Sequence, residues 1–287
     1  MKNFFKKIVC VFLISFNFLQ IDKVEGIVPY YFFPSIKNLQ EQSLYIGKSS
    51  YQLLYFGQIK ESLNLAKLAV NLNEKDEKLW LILAEAQSAN KLYKNALNSL
   101  NKAEKINSNI SEIYFAKGNI YLKISQQKNA KSALEKGIKL EPNNYKAIFQ
   151  LGNILLMEKN YLEAINFFNK ALKIKPDFWQ AINNKGLAYF EKNNVNLSIK
   201  LFEKAISIQD NAEPLLGLAS CLRIKDSKLS IQLAKKALAK NPNYVNYDYR
   251  KEQLWGEKLQ NSTKILLQNE KLKEDVLLAK SKINASS

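Results

Sequence analysis

The sequence predicts an all-α solenoid of antiparallel helix pairs with capping helices at its C-terminus. Three observations predict it. Small residues recur every 34 positions: Gly118, Gly152 and Gly186; Ala96, Ala130 and Ala164; Pro142 and Pro176. A fixed period between 20 and 50 residues marks stacked structural repeats. Within each period apolar residues fall at i, i+3, i+4 and i+7, which lines one face of a helix. Composition agrees, at 47% hydrophobic with only nine Gly and six Pro in 287 residues. That is an ordered helical chain, not a disordered one.

Residues 1–26 read as a leader. Lys2, Lys6 and Lys7 form a positive start, Ile8 to Leu19 an apolar run, and Val24-Glu25-Gly26 a cleavage site. The run contains Ser15 and Asn17 and is short of the roughly 20 residues of a spanning helix. A cleaved signal peptide, an uncleaved signal anchor and a buried core helix are the three readings. The first two place the remainder on the far side of a membrane, because positive charge stays inside. The expected location is therefore exported (periplasm or thylakoid lumen), or membrane-anchored with the repeats on the trans side. Residues 27–42 read as a Pro/aromatic arm, with four consecutive rings between Pro29 and Pro34, which disfavour a helix there. The arm covers the first repeat, sits at a membrane interface or docks elsewhere; the sequence leaves these open.

The repeat frame is set by residues 145–178 and extends without a gap over 43–76, 77–110, 111–144, 145–178 and 179–212. In the central unit small residues stand at positions 8, 20 and 27 (Gly152, Ala164, Ala171). Large apolar ones stand at 4, 7, 11 and 24 (Ile148, Leu151, Leu155, Phe168), and Pro176 ends the second helix at 32. Two helices approach closely only where one presents Gly or Ala, and a lone pair cannot bury its face without neighbours. Lys117, Lys185, Ser108 and Asp210 depart from the pattern. A sixth unit, 213–244, is two residues short, with the slip placed around Asp226. Residues 245–287 read as a C-terminal capping helix and tail, the polar-backed end that an array needs.

These units resemble the tetratricopeptide repeat family. The resemblance implies a right-handed superhelical array whose first helices line a concave groove through positions 2, 5, 9, 12 and 13. Carried onto this chain, it gives Phe115, Asn119, Phe149, Asn153, Asn183, Leu187 and Phe190, with Asn184 following at position 6, as the partner-binding groove. Asn carboxamides can hold a peptide backbone from both donor and acceptor sides while the rings take its side chains. The alternatives are that Asn, abundant in this chain, falls there by chance, or ties helices together. The lysine clamp of chaperone-binding members is absent, because position 5 carries Phe115, Phe149 and Asn183.

Function classes narrow further. There is no histidine, which removes the commonest general base and metal ligand. Cys10 and Cys221 make neither a metal site nor a disulfide framework. No catalytic residue, cofactor or metal is expected, and the chain reads as non-enzymatic. The formal charge of +17 comes almost entirely from Lys, with Arg223 and Arg250 the only arginines. Base recognition leans on the guanidinium fork, so no specific nucleic-acid partner is expected and the charge reads as a solvated basic surface. The expected partner is a protein client or peptide segment, with membrane association through the N-terminus; homo-oligomerisation stays open. The leading function is a scaffold or assembly factor. The alternative is an accessory subunit that presents a substrate to a partner enzyme at the membrane.

Overall fold

A computed structural model describes residues 35–286, so the leader and aromatic-arm readings of residues 1–34 lie outside the described residues. The chain divides into two units, Met1–Leu39 and Gln40–Ser287. Of the first, only the start of helix α1 is described; the second holds the array.

Twelve helices form six pairs. The first helices are α1 (Ile36–Tyr55), α3 (Glu77–Ala89), α5 (Ser111–Lys123), α7 (Tyr145–Met157), α9 (Trp179–Glu191) and α11 (Ala212–Leu222). Their partners are α2 (Ile59–Leu72), α4 (Tyr93–Ile106), α6 (Gln127–Leu140), α8 (Tyr161–Ile174), α10 (Val195–Ile208) and α12 (Ser227–Lys240). No strand occurs among the described residues. No helix there is long and apolar enough to cross a membrane.

Packing explains the period. Phe168 and Phe202 at position 24 are fully buried, as are Leu100 and Leu134. A Cβ on Gly152 would stand 2.6 Å from the Phe168 ring, and one on Gly118 would stand 2.8 Å from Leu134. Position 8 must stay small because position 24 of the partner helix fills its space. Where position 20 is Ser, the hydroxyl is bonded: Ser198 Oγ donates to the Gly186 carbonyl at 2.9 Å, and Ser62 Oγ meets the Ser50 hydroxyl at 3.1 Å.

In the first five units the turn between paired helices is also the same. The residue at position 15 has a left-handed backbone: Gly57 (φ 77°), Lys91 (59°), Ser125 (60°), Lys159 (59°) and Asn193 (62°). Its N–H and the next one bond back into the ending helix, as in Ser125 N to Leu122 O (3.0 Å) and Gln126 N to Tyr121 O (2.8 Å). This is a Schellman closure, and only the first unit supplies the glycine that makes it free of strain.

The departures from the pattern have local causes. Lys117, 7% exposed, forms an ion pair with Glu104 of the preceding unit. The Lys117 hydrogen bond holds the Glu104 carboxyl below the usual range. Asp210 stands where proline was expected and pairs with Lys236 (2.9 Å) and Lys240 (3.1 Å).

Two boundaries need correction. Residues 36–42, assigned to the arm, are the first turns of α1. The two-residue shortening of the last unit is split, not gathered at Asp226. α11 starts at Ala212, 33 residues after α9, because its entry loop lacks one residue; α12 starts 32 residues after α10. Ser230 Oγ accordingly bonds the Ala219 carbonyl at 2.7 Å, making Ala219 the equivalent of position 8.

Beyond α12 come a 3-10 turn (Pro242–Val245), α13 (Tyr247–Glu252), α14 (Glu257–Leu267), a second 3-10 turn (Glu270–Leu272) and α15 (Lys273–Ser286). α15 covers α12 and closes the stack, whereas α14 turns back onto α9 and α11. Trp255, Leu259, Leu266 and Leu272 join the core of the last three units.

Candidate functional site

The first helices together make one face, and the structure divides it into an open and a covered part. The open part runs over α1, α3 and α5. A cavity of about 360 Å³ there is lined by Tyr51, Leu54 and Tyr55, by Glu85 and Ser88, and by Asn119 and Lys123. These are positions 9, 12 and 13, so the groove positions implied by the resemblance line this cavity. Tyr55 is 84% and Tyr51 55% exposed. Burial raises the Glu85 carboxyl above its ordinary value.

A second cavity of about 440 Å³ lies at the junction with the covered part. Leu122, Phe149, Asn153 and Met157 form one wall; Glu252, Gln253 and Leu254 of the returning segment form the other. Leu254 adopts φ 66° and ends α13 with the same closure as the repeats, Trp255 N bonding Arg250 O at 3.1 Å.

The covered part is held by specific bonds. The Glu191 carboxylate accepts from Leu259 N (3.0 Å) and Lys258 N (3.3 Å). It therefore caps α14, whose own N-cap, Gly256, has no side chain to do so. A Cβ on Gly256 would collide with that carboxylate, so the cap requires glycine. Lys258 Nζ donates to the Glu191 carbonyl (2.7 Å) and Asn193 (2.9 Å). Trp255 Nε1 donates to Glu213 at 3.2 Å. Burial raises the Glu213 carboxyl to about 7, against hydrogen bonds from Asn183, Trp255 and Tyr244 that favour the ionised form. Further along, the Ser220 and Thr263 hydroxyls meet at 2.7 Å and Ser262 Oγ donates to Ser220 O at 2.8 Å. Arg250, 2% exposed, donates to Gln260 (2.8 Å) and the Tyr244 carbonyl (2.6 Å).

These facts re-sort the eight expected groove residues. Asn119 is exposed on the open face, and Phe149 and Asn153 are half-buried beside the second cavity. Asn183, Asn184, Leu187 and Phe190 are buried at 0, 7, 1 and 9% exposure and are not open to a partner, because the chain's own C-terminal segment lies over this end. Phe115 is also corrected. Its ring packs against Gly137 of its own second helix, so position 5 serves the helix pair here. The carboxamides bond one another: Gln150 to Asn119 (2.6 Å), Asn184 to Asn153 (2.8 Å) and Asn183 to Asn184 (3.0 Å). An acid in the last turn of a helix is ordinarily solvated, but Glu191 is 6% exposed. Sequence reasoning missed the returning segment. Its one local signal is Trp255-Gly256, a large ring beside a residue with no side chain.

Family models of the tetratricopeptide repeat match residues 111–144, 145–178 and 180–211, and the helix pairs keep that register. The chain carries tetratricopeptide repeats. No curated protein matches it. Among solved structures it is similar to MamA from Desulfovibrio magneticus RS-1 (20% identity, TM-score 0.55), covering 61% of this chain and 98% of that one. YrrB, described as a TPR protein with an unusual peptide-binding site, matches at 20% identity and TM-score 0.51, covering 70% and 98%. PilF of Pseudomonas aeruginosa matches at 15% identity and TM-score 0.65, covering 75% and 98%. At these identities the likeness carries the fold alone.

Proposed function

We propose that this protein is a non-enzymatic scaffold or assembly factor that holds a client segment along the open first-helix face. One observation carries the reading. Among the described residues that face remains uncovered only over α1, α3, α5 and α7, and there two cavities present rings, carboxylates and carboxamides. Exposed tyrosines give large contact area at little cost in side-chain order, and Asn119 and Ser88 supply hydrogen bonds. The description of YrrB as having a peptide-binding site supports a peptide as the ligand class. The leader reading of residues 1–26 adds an exported or membrane-anchored location. Release of the protein by a carbonate wash separates the free form from the anchored one.

The experiment places a photoreactive residue at Tyr51, at Asn119 or at Lys200, the last on a second helix, in the native cell. A common adduct from Tyr51 and Asn119, missing from Lys200, supports the groove. Adducts from Lys200 alone overturn it.

A further inference from the structure

The second helices are unlike the first in charge. α4, α6, α8 and α10 carry eleven lysines against four acids, whereas the first helices of the same units carry five against four. The excess is ordered. Positions 26 and 29 hold Lys102 and Lys105, Lys136 and Lys139, Lys170 and Lys173, then Lys204 and Ser207. All seven lysines are exposed. None of them belongs to an ion pair among the described residues. Lys136 and Lys170 lie 5.7 and 4.7 Å over the Tyr114 and Phe167 rings.

Position 30 adds a second regularity. Ile106, Leu140, Ile174 and Ile208 are 42, 43, 39 and 38% exposed. Positions 26, 29 and 30 are i, i+3 and i+4, so they share one helix face. Units 77–110, 111–144 and 145–178 thus repeat a rung of two cations and an aliphatic side chain, and unit 179–212 keeps one cation, with Ser207 in place of the other. A cation in the last turn complements the helix dipole, which accounts for position 29. It does not account for the lysine a turn earlier or for the aliphatic side chain left in water beside it.

We propose that this second-helix face docks on an anionic lipid bilayer, with the ammonium groups among the headgroup phosphates and the aliphatic side chains entering the interface. A basic face with interleaved aliphatics is the pattern of interfacial helices. Each lysine near an acidic leaflet strengthens binding roughly fivefold at low salt. The ladder contains no arginine, the residue that nucleic-acid recognition favours. Docking in this way turns the first-helix groove away from the lipid.

The test is co-sedimentation of the full chain with vesicles of phosphatidylcholine, alone or with about 30% phosphatidylglycerol, at about 0.05 and 0.5 M salt. The ladder variant is K102Q/K136Q/K170Q/K204Q. The control, K48Q/K78Q/K146Q/K264Q, removes equal charge from exposed lysines on first helices and on α14. Both keep the same residues 1–26, so any contribution of that stretch is common to them. Expected is salt-sensitive binding to the acidic vesicles that falls at least about tenfold in the ladder variant and little in the control, with unchanged circular dichroism. Ile106→Ser with Ile174→Ser should weaken the part that survives high salt. Equal losses in both lysine variants, or none, overturn the proposal. So does loss of single-stranded oligonucleotide binding in the ladder variant while vesicle binding persists.

Discussion

The N-terminal and C-terminal halves of this array are built from the same unit and packed differently. In the first three units the 34-residue register is strict, the buried residues fall into three separate small clusters, and the first-helix face is open. From α7 onward a single core runs from Leu155 to Ala279, the register slips at α11 and again at α12, and the first-helix face of α9 and α11 is covered by α14. Identical repeats make nearest-neighbour contacts only. The slip and the returning segment convert the C-terminal half into something closer to a globular domain. Openness and cooperativity therefore trade against each other along one chain.

The comparison can be broken most strongly at Trp255. Trp255→Ala removes a ring that is 4% exposed and should cost about 3–5 kcal/mol, measured by urea unfolding. Hydrogen exchange should then show new opening at α9 and α11 but not at α3 and α5. Exchange that rises equally everywhere would mean the halves are not distinct. Gly152→Leu, inside the shared core, should cost about 1–3 kcal/mol by overpacking Phe168; an unchanged melt would contradict the packing described.

A pH dependence sharpens the contrast. Glu213 titrates near 7 when folded, above its value of 4.5 when exposed. The folded protein therefore binds that proton more tightly, and this stabilisation is complete below pH 4.5 and lost as pH rises through about 7. Glu213→Gln should flatten the fall, on the order of 2–3 kcal/mol between pH 5 and 8, in the C-terminal half alone. A wild-type profile already flat over that range would remove Glu213 from the covering contact. The smallest effect belongs to the turns. Ser125→Gly, which relieves a left-handed backbone without touching other contacts, should stabilise by about 1 kcal/mol, read as a higher midpoint in urea.

The sequence made the helix pairs legible because their spacing is forced by contacts inside each unit. Gly152 against Phe168 needs no distant information. The lining of the open cavity was legible for the same reason, since Tyr51, Glu85 and Asn119, all at position 9, follow from the register. Its covered end was not. Whether Leu187 and Phe190 face a partner or the chain's own α14 depends on where the chain turns after Tyr247, and nothing periodic encodes that. Glu191 shows the limit well. An acid at the end of a helix reads as solvated until another helix N-terminus, brought from 66 residues away at Glu257, is placed on it.

The Glu191–α14 lock has a consequence for measurement of length. A groove shut at one end is a gauge with a stop. Four neighbouring first helices at about 8–10 Å apart leave roughly 25–30 Å of open track. At about 3.3 Å per residue that admits roughly eight extended residues before the segment meets Leu254. The two ends of the track are also unlike, tyrosines at the entrance and Glu213 and Glu252 beside the stop. A segment laid along it has a direction as well as a reach.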